Sequence, residues 1–99
     1  MESIRLDRYV VDTLMADLVA HDRSPSSFLV YLALAVRSRG RRPAPVRASH
    51  RELAEDTGLS KSSVQSAVRL LLRRRLIAAA HASPTAVPEY TIQRPWRRR

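Results

Sequence analysis

Ser49-His50-Arg51-Glu52-Leu53-Ala54-Glu55-Asp56-Thr57-Gly58-Leu59-Ser60-Lys61-Ser62-Ser63-Val64-Gln65-Ser66-Ala67-Val68 decides how this chain folds. The stretch opens with a capping box, in which the Ser49 hydroxyl serves the third helical amide and Glu52 reaches back to the Ser49 amide. The helix so started is short, because Thr57-Gly58 stops it; Leu53 and Ala54 are its buried side. Ser60 then caps a second helix running from Lys61 to about Arg74. Val64, Ala67, Val68 and Leu71 recur at the helical period, and Leu70 and Leu72 add apolar surface beside them.

Downstream, Leu76 to Ala80 and Glu89 to Ile92 read as two strands joined by an irregular loop, about Ser83 to Pro88, that contains two prolines. The tail from Arg94 to Arg99 is too basic and too short to fold alone, and its Trp96 is expected to pack back on the body or stack on an arginine. Upstream, Val46-Arg47-Ala48 is β-compatible and follows a loop over Arg41-Arg42-Pro43-Ala44-Pro45. Ser24 as N-cap and Pro25 at the first helical position open another helix. Phe28 through Val36 is apolar on every face, which makes that helix central, and Gly40 is its expected C-terminal stop. Residues 8–20 read as an amphipathic helix capped by Asp7, with Val11, Leu14, Met15, Leu18 and Val19 as its apolar stripe. Such a stripe covers the rest of the domain, pairs with a twin, or does both.

The short helix, its turn, the longer helix and the following Leu71 and Leu76-Ile77 resemble the winged helix-turn-helix family of bacterial, phage and plasmid DNA-binding proteins. In that likeness Ala54 is small where two helices cross, Gly58 takes the left-handed turn conformation, and Leu59 plugs the corner. Ser60 caps the recognition helix, while Val64 and Val68 anchor it so that its opposite face is free. Ser24 to Leu34 looks like the first helix of such domains, Val46 to Ala48 like the strand before the motif, and Leu76 to Ile92 like the wing hairpin. The likeness spans about residues 24–93. It implies a mainly α fold with a small β-hairpin wing, here with an extra N-terminal helix. Residues 1–22 are that helix, 23–93 the winged helix-turn-helix domain and 94–99 a basic tail. This chain departs from the pattern twice. Arg75 stands where a small or glycine residue commonly ends the recognition helix, so the helix is expected to run longer or end by another route. Residues 81–88 hold no arginine or lysine, leaving His81 as the wing's only basic group.

Charge points to the same partner. In a chain of 99 residues, eighteen basic side chains, all arginine except Lys61, stand against nine acidic ones, for a net +9. Residues 1–22 carry −3 and residues 23–99 carry +12, an asymmetry expected when one end faces a polyanion and the other does not. Arginine forks suit phosphate oxygens and guanine edges.

Other classes lose their chemistry. Without cysteine there is no disulfide, thiolate zinc site or cysteine nucleophile. With only Gly40 and Gly58 there is no glycine-rich phosphate loop. His21, His50 and His81 lack metal-ligand spacing, and Glu52 and Glu55 read as a cap and a solvent-facing charge. The longest apolar run, Phe28 to Val36, is about half of what a bilayer needs, and no secretory pattern opens the chain. A non-enzymatic, cytoplasmic and nucleoid-associated protein is expected, with no cofactor, metal, membrane or small-molecule ligand.

Given the likeness, roles follow from the docking geometry of such helices. Ser62, Ser63, Gln65, Ser66 and Arg69 are the candidates for base contacts, Gln65 pairing bidentately with adenine and Arg69 reading guanine. Arg47, Arg51, Ser60, Lys61, Arg73, Arg97 and Arg98 are the candidates for the DNA backbone. The expected partner is double-stranded DNA, bound by a homodimer paired through residues 8–20, most simply as a transcriptional regulator. A plasmid or phage replication or partition protein, and a winged-helix module that docks another protein, are the alternatives.

Overall fold

The computed structural model describes residues 3–38 and 45–96. The expectations for Gly40, for the loop at 41–44, and for Arg97 and Arg98 therefore lie outside the described residues. A leading helical run over residues 8–21 is followed by α1 (Pro25–Arg37), β1 (Val46–Arg47), α2 (His50–Thr57), α3 (Lys61–Arg73), β2 (Ile77–Ala80) and β3 (Glu89–Ile92). Mainly helical, the chain adds one antiparallel sheet of order β1-β3-β2, with Val46 opposite Tyr90 and Ile77 opposite Ile92.

Local chemistry places the helix ends as the sequence predicts. The Ser24 hydroxyl accepts the Ser27 amide with Pro25 at the first helical position, and the Ser60 hydroxyl accepts the Ser63 amide at 3.1 Å. Both bonds of the capping box form, Glu52 N–H to Ser49 Oγ at 3.0 Å and Ser49 N–H to Glu52 Oε1 at 2.9 Å. Gly58 ends α2 at φ +80°, a backbone conformation costly for any residue with a Cβ, and the Thr57 hydroxyl accepts the Leu59 amide. These bonds fix the turn between α2 and α3.

α1 lies at the centre, packed on α3, α2, β3 and the second half of the leading helix. Val30, Leu34, Leu53, Val64, Leu71 and Leu18 are fully buried in one shared core. Tyr31 is buried with its hydroxyl donating to the Gln93 carbonyl at 3.3 Å, and burial pushes that phenol up to about 12. The Arg37 guanidinium donates twice to Asp56, at 2.6 and 3.3 Å, joining the end of α1 to the end of α2.

Two expectations about α1 and the leading helix need correction. α1 is not apolar-buried on every face: Leu29 and Val36 are exposed, with Leu32 and Ala33 half-buried between them. In the leading helix the buried line is Val10, Leu14 and Leu18, whereas Val11, Met15 and Val19 are exposed. The reason is a change of helical pitch. Val10–Leu14 and Asp17–His21 are π-helical. A π-turn holds more residues than an α-turn, so positions four apart line up and those three apart swing off the seam. Asp7 does precede the first turn, but its carboxylate accepts a bond from Trp96 Nε1 at 3.1 Å and lies 3.7 Å from Arg94. Trp96 stacks on Tyr9 with centroids 4.5 Å apart, the packing back on the body that the sequence allowed.

The arginine run at the end of α3 divides its work. Arg73 is exposed in the last turn. Arg74 bonds both Asp17 and Asp22, pinning the leading helix to α3. Together with Arg94, it shows that much of the acid in residues 1–22 is neutralised inside the molecule. Arg75 takes φ +58°, so α3 does not run on; it ends in a two-bond turn, Arg75 N–H to the Leu72 carbonyl and Leu76 N–H to the Leu71 carbonyl. A left-handed non-glycine residue costs roughly 1–2 kcal/mol, partly offset by glycine's extra freedom when unfolded. Arg75→Gly is thus expected to stabilise the protein by about 0.5–1 kcal/mol and to raise Tm by a few degrees. An unchanged or lower Tm in a calorimetric scan would show that Arg75 contributes more through its side chain than its backbone loses.

Candidate nucleic-acid interface

α3 divides into two faces. Val64, Ala67, Val68 and Leu71 are turned into the core, so Lys61, Ser62, Gln65, Ser66 and Arg69 stand outward. Of the residues expected to reach bases, the structure brings Ser62, Gln65, Ser66 and Arg69 together on that exposed face, with the Arg69 guanidinium 3.5 Å from the Ser66 hydroxyl. Ser63 is drawn partly inward: its Oγ accepts from Ser60 Oγ at 2.9 Å. The Ser60 hydroxyl, expected on the DNA backbone, is engaged by the cap with both the amide and the hydroxyl of Ser63.

The basic groups differ in what already holds them. Arg51 pairs with Glu55 one turn along α2 at 3.6 Å, and Arg47 of β1 pairs with Glu89 of β3 at 3.2 Å. All four side chains are largely exposed, and such solvated pairs contribute little, so an incoming phosphate can replace the carboxylate at small cost. Arg73 lies at the far end of α3, about 18 Å from Lys61 at 1.5 Å per residue.

Between α3 and the β2–β3 hairpin the surface is concave. A cleft of about 490 Å³ is lined by His50 and Arg51 from α2, Lys61 and Gln65 from α3, and His81 and Tyr90 from the hairpin. No carboxylate lines it among the described residues. Glu52, the acid nearest His50 in sequence, is turned back onto the Ser49 amide. Burial, with Lys61 and Arg69 nearby, holds the His50 imidazole below its ordinary range. Tyr90 is pushed up by burial and so stays a neutral phenol.

Sequence reasoning named His81 only as the wing's lone basic group and gave His50 no role on this surface. They are far apart in sequence and line one cleft because the hairpin folds back toward the start of α2. The sole available signal was that His50 follows the cap of the helix that precedes α3. Elsewhere, a second hollow of about 420 Å³ beside the hairpin is lined by Arg47, His81, Val87 and Glu89; no group of three metal-ligating side chains exists among the described residues, and the gap between the leading helix and α1 is about 20 Å³, room for a single water. None of the described helices is long and apolar enough to cross a membrane.

Compared with known proteins, the chain matches no family model, no curated protein and no solved structure.

Proposed function

We propose that this protein is a winged helix-turn-helix that binds duplex DNA sequence-specifically, with α3 in the major groove, and serves as a transcriptional regulator. The observation that carries the reading is the outer face of α3: one glutamine, two serines and one arginine, exposed together and flanked by a carboxylate-free cleft with Lys61 and Arg51 on its rim. Amide and hydroxyl groups on such a face can pair with base edges, while the flanking cations neutralise phosphates. The β2–β3 hairpin is the wing in this reading, and its loop, without arginine or lysine, adds little grip.

A second copy of the chain completes the reading. Val11, Met15 and Val19 form an exposed line on the leading helix, and Leu29 and Val36 form another on α1. Two positions away at either the α or the wider π pitch, Val19 and Met15 each lie on roughly the opposite side of the leading helix from Asp17, the side chain that holds α3. The exposed line of the leading helix therefore faces away from α3, and Leu29 and Val36 add exposed apolar surface on α1, which packs against the same helix. A symmetric pair formed there leaves both copies of α3 uncovered, and most soluble oligomers pair in this way.

Selection of bound sites from random duplex DNA tests both parts. An enriched inverted repeat is the expected result. A direct repeat would instead favour a replication or partition role, and no enrichment alongside tight capture of a defined protein would replace DNA binding with protein docking.

A further inference from the structure

We propose that His50, together with Lys61 and His81, holds a backbone phosphate of the duplex in the cleft between α3 and the hairpin, and takes up a proton when it does so. The inference rests on the duplex-DNA reading and adds a ligand group and a pH dependence to it.

The geometry carries the argument. His50 is half-buried in the wall of the cleft, and His81 reaches the same space from the other side. The charged and titratable groups facing it are Arg51 of its own helix, Lys61 and Arg69 of α3, and His81 and Tyr90 of the hairpin. Arg51, Lys61 and Arg69 are cations, and the carboxylate nearest on the hairpin, Glu89, lines the adjoining hollow with His81 and is paired with Arg47. A neutral imidazole among fixed cations is the arrangement expected where an anion is missing from the balance. With nothing bound, the cations disfavour a proton on His50. A phosphate in the cleft reverses the sign of the local field and adds an acceptor for the new N–H.

The sign of the linkage follows. The free protein holds His50 below the ordinary histidine range, and the complex holds it higher. Affinity is then independent of pH above the bound value, rises as pH falls through it, and levels off below the free value. Each unit by which phosphate raises the histidine corresponds to about tenfold in affinity. His21 is the built-in comparison, since it sits on the leading helix bonded to Asp22, away from the cleft.

The test is duplex binding by the full chain at pH 8.0 and pH 5.5, at one ionic strength, for the unaltered protein, His50→Gln, His81→Gln and His21→Gln. The expected result is about tenfold tighter binding at the lower pH. That gain should be largely lost in His50→Gln, reduced in His81→Gln and kept in His21→Gln. Equal gains in all four proteins would overturn the proposal, because the gain would then be a general effect of net charge. Absence of duplex binding at both pH values would instead remove the DNA reading itself. The cleft is then judged by NMR titration of the His50 ring, with and without inorganic phosphate. An upward shift in its titration midpoint that Lys61→Ala abolishes supports a phosphate site, and an unmoved midpoint ends it.

Discussion

Duplex binding by this protein should weaken about a thousandfold between 50 and 200 mM monovalent salt. The estimate follows from counterion release: log K falls against log salt with a slope of roughly 0.9 for each phosphate neutralised, and the sequence offers six cations to the DNA backbone, Arg47, Arg51, Lys61, Arg73, Arg97 and Arg98. Of these, Arg47, Arg51 and Lys61 lie beside the start of α3 and Arg73 at its far end, while Arg69 is assigned to a base. Two single changes separate grip from reading. Lys61→Ala should weaken every duplex alike and reduce the salt slope by about one. Gln65→Ala should leave the slope unchanged and relax the preference between sites, since an amide pairs with a base edge and displaces no counterion. A binding curve that stays flat with salt, or the same loss for both variants on every sequence, rejects these roles. Gel shift across a salt series is sufficient to decide.

The second large effect concerns stability. Leu18→Ala should lower the unfolding free energy by about 2–5 kcal/mol and Tm by at least about 10 °C. Leu18 is fully buried at the seam of the leading helix, in line with Leu14 and Val10. Because Arg74 binds Asp17 and Asp22, the loss should reach α3 as well. One cooperative transition shifted to lower temperature, with helix content and tertiary signal falling together, is the expected outcome. A small early melt with the main transition unmoved would mean that the leading helix is an appendage to an independent body.

Much of this architecture was legible because it is written in short-range chemistry. Ser24, Ser49 with Glu52, Ser60 and Gly58 each act within four residues of themselves, so their roles survive whatever the rest of the chain does. The outer face of α3 was equally legible, since Val64, Ala67, Val68 and Leu71 define the opposite side by period alone. Three features were not. The leading helix carries seven apolar residues over Val10 to Val19, enough for two adjacent flanks, and an α-helical period adds Val11, Met15 and Val19 to the buried Leu14 and Leu18 while leaving out Val10 when the turns are π. Arg75 ends α3 in a conformation its side chain disfavours, which happens because Leu76 and Ile77 must enter the core immediately afterwards. His50 and His81 share a cleft only through the hairpin's return, a long-range contact with no local trace.

Charge shows the same division. Sequence composition places an acidic start ahead of a basic body, and that contrast suggested an end turned away from a polyanion. In three dimensions Asp7, Asp17 and Asp22 are instead directed at Arg94 and Arg74. The acids hold two elements onto the body, and exposed cations remain around α3 and the sheet as well as at Arg5, Arg8 and Arg23.

The stack of Trp96 on Tyr9 has a practical side. Trp96 is the only tryptophan in the chain, and its indole joins the last described residues to the first turn of the leading helix. Its emission is therefore an optical reporter on the contact between residue 96 and the start of the leading helix. Quenching by a neutral solute, followed as DNA is added, would show whether occupying the protein loosens or tightens that seam.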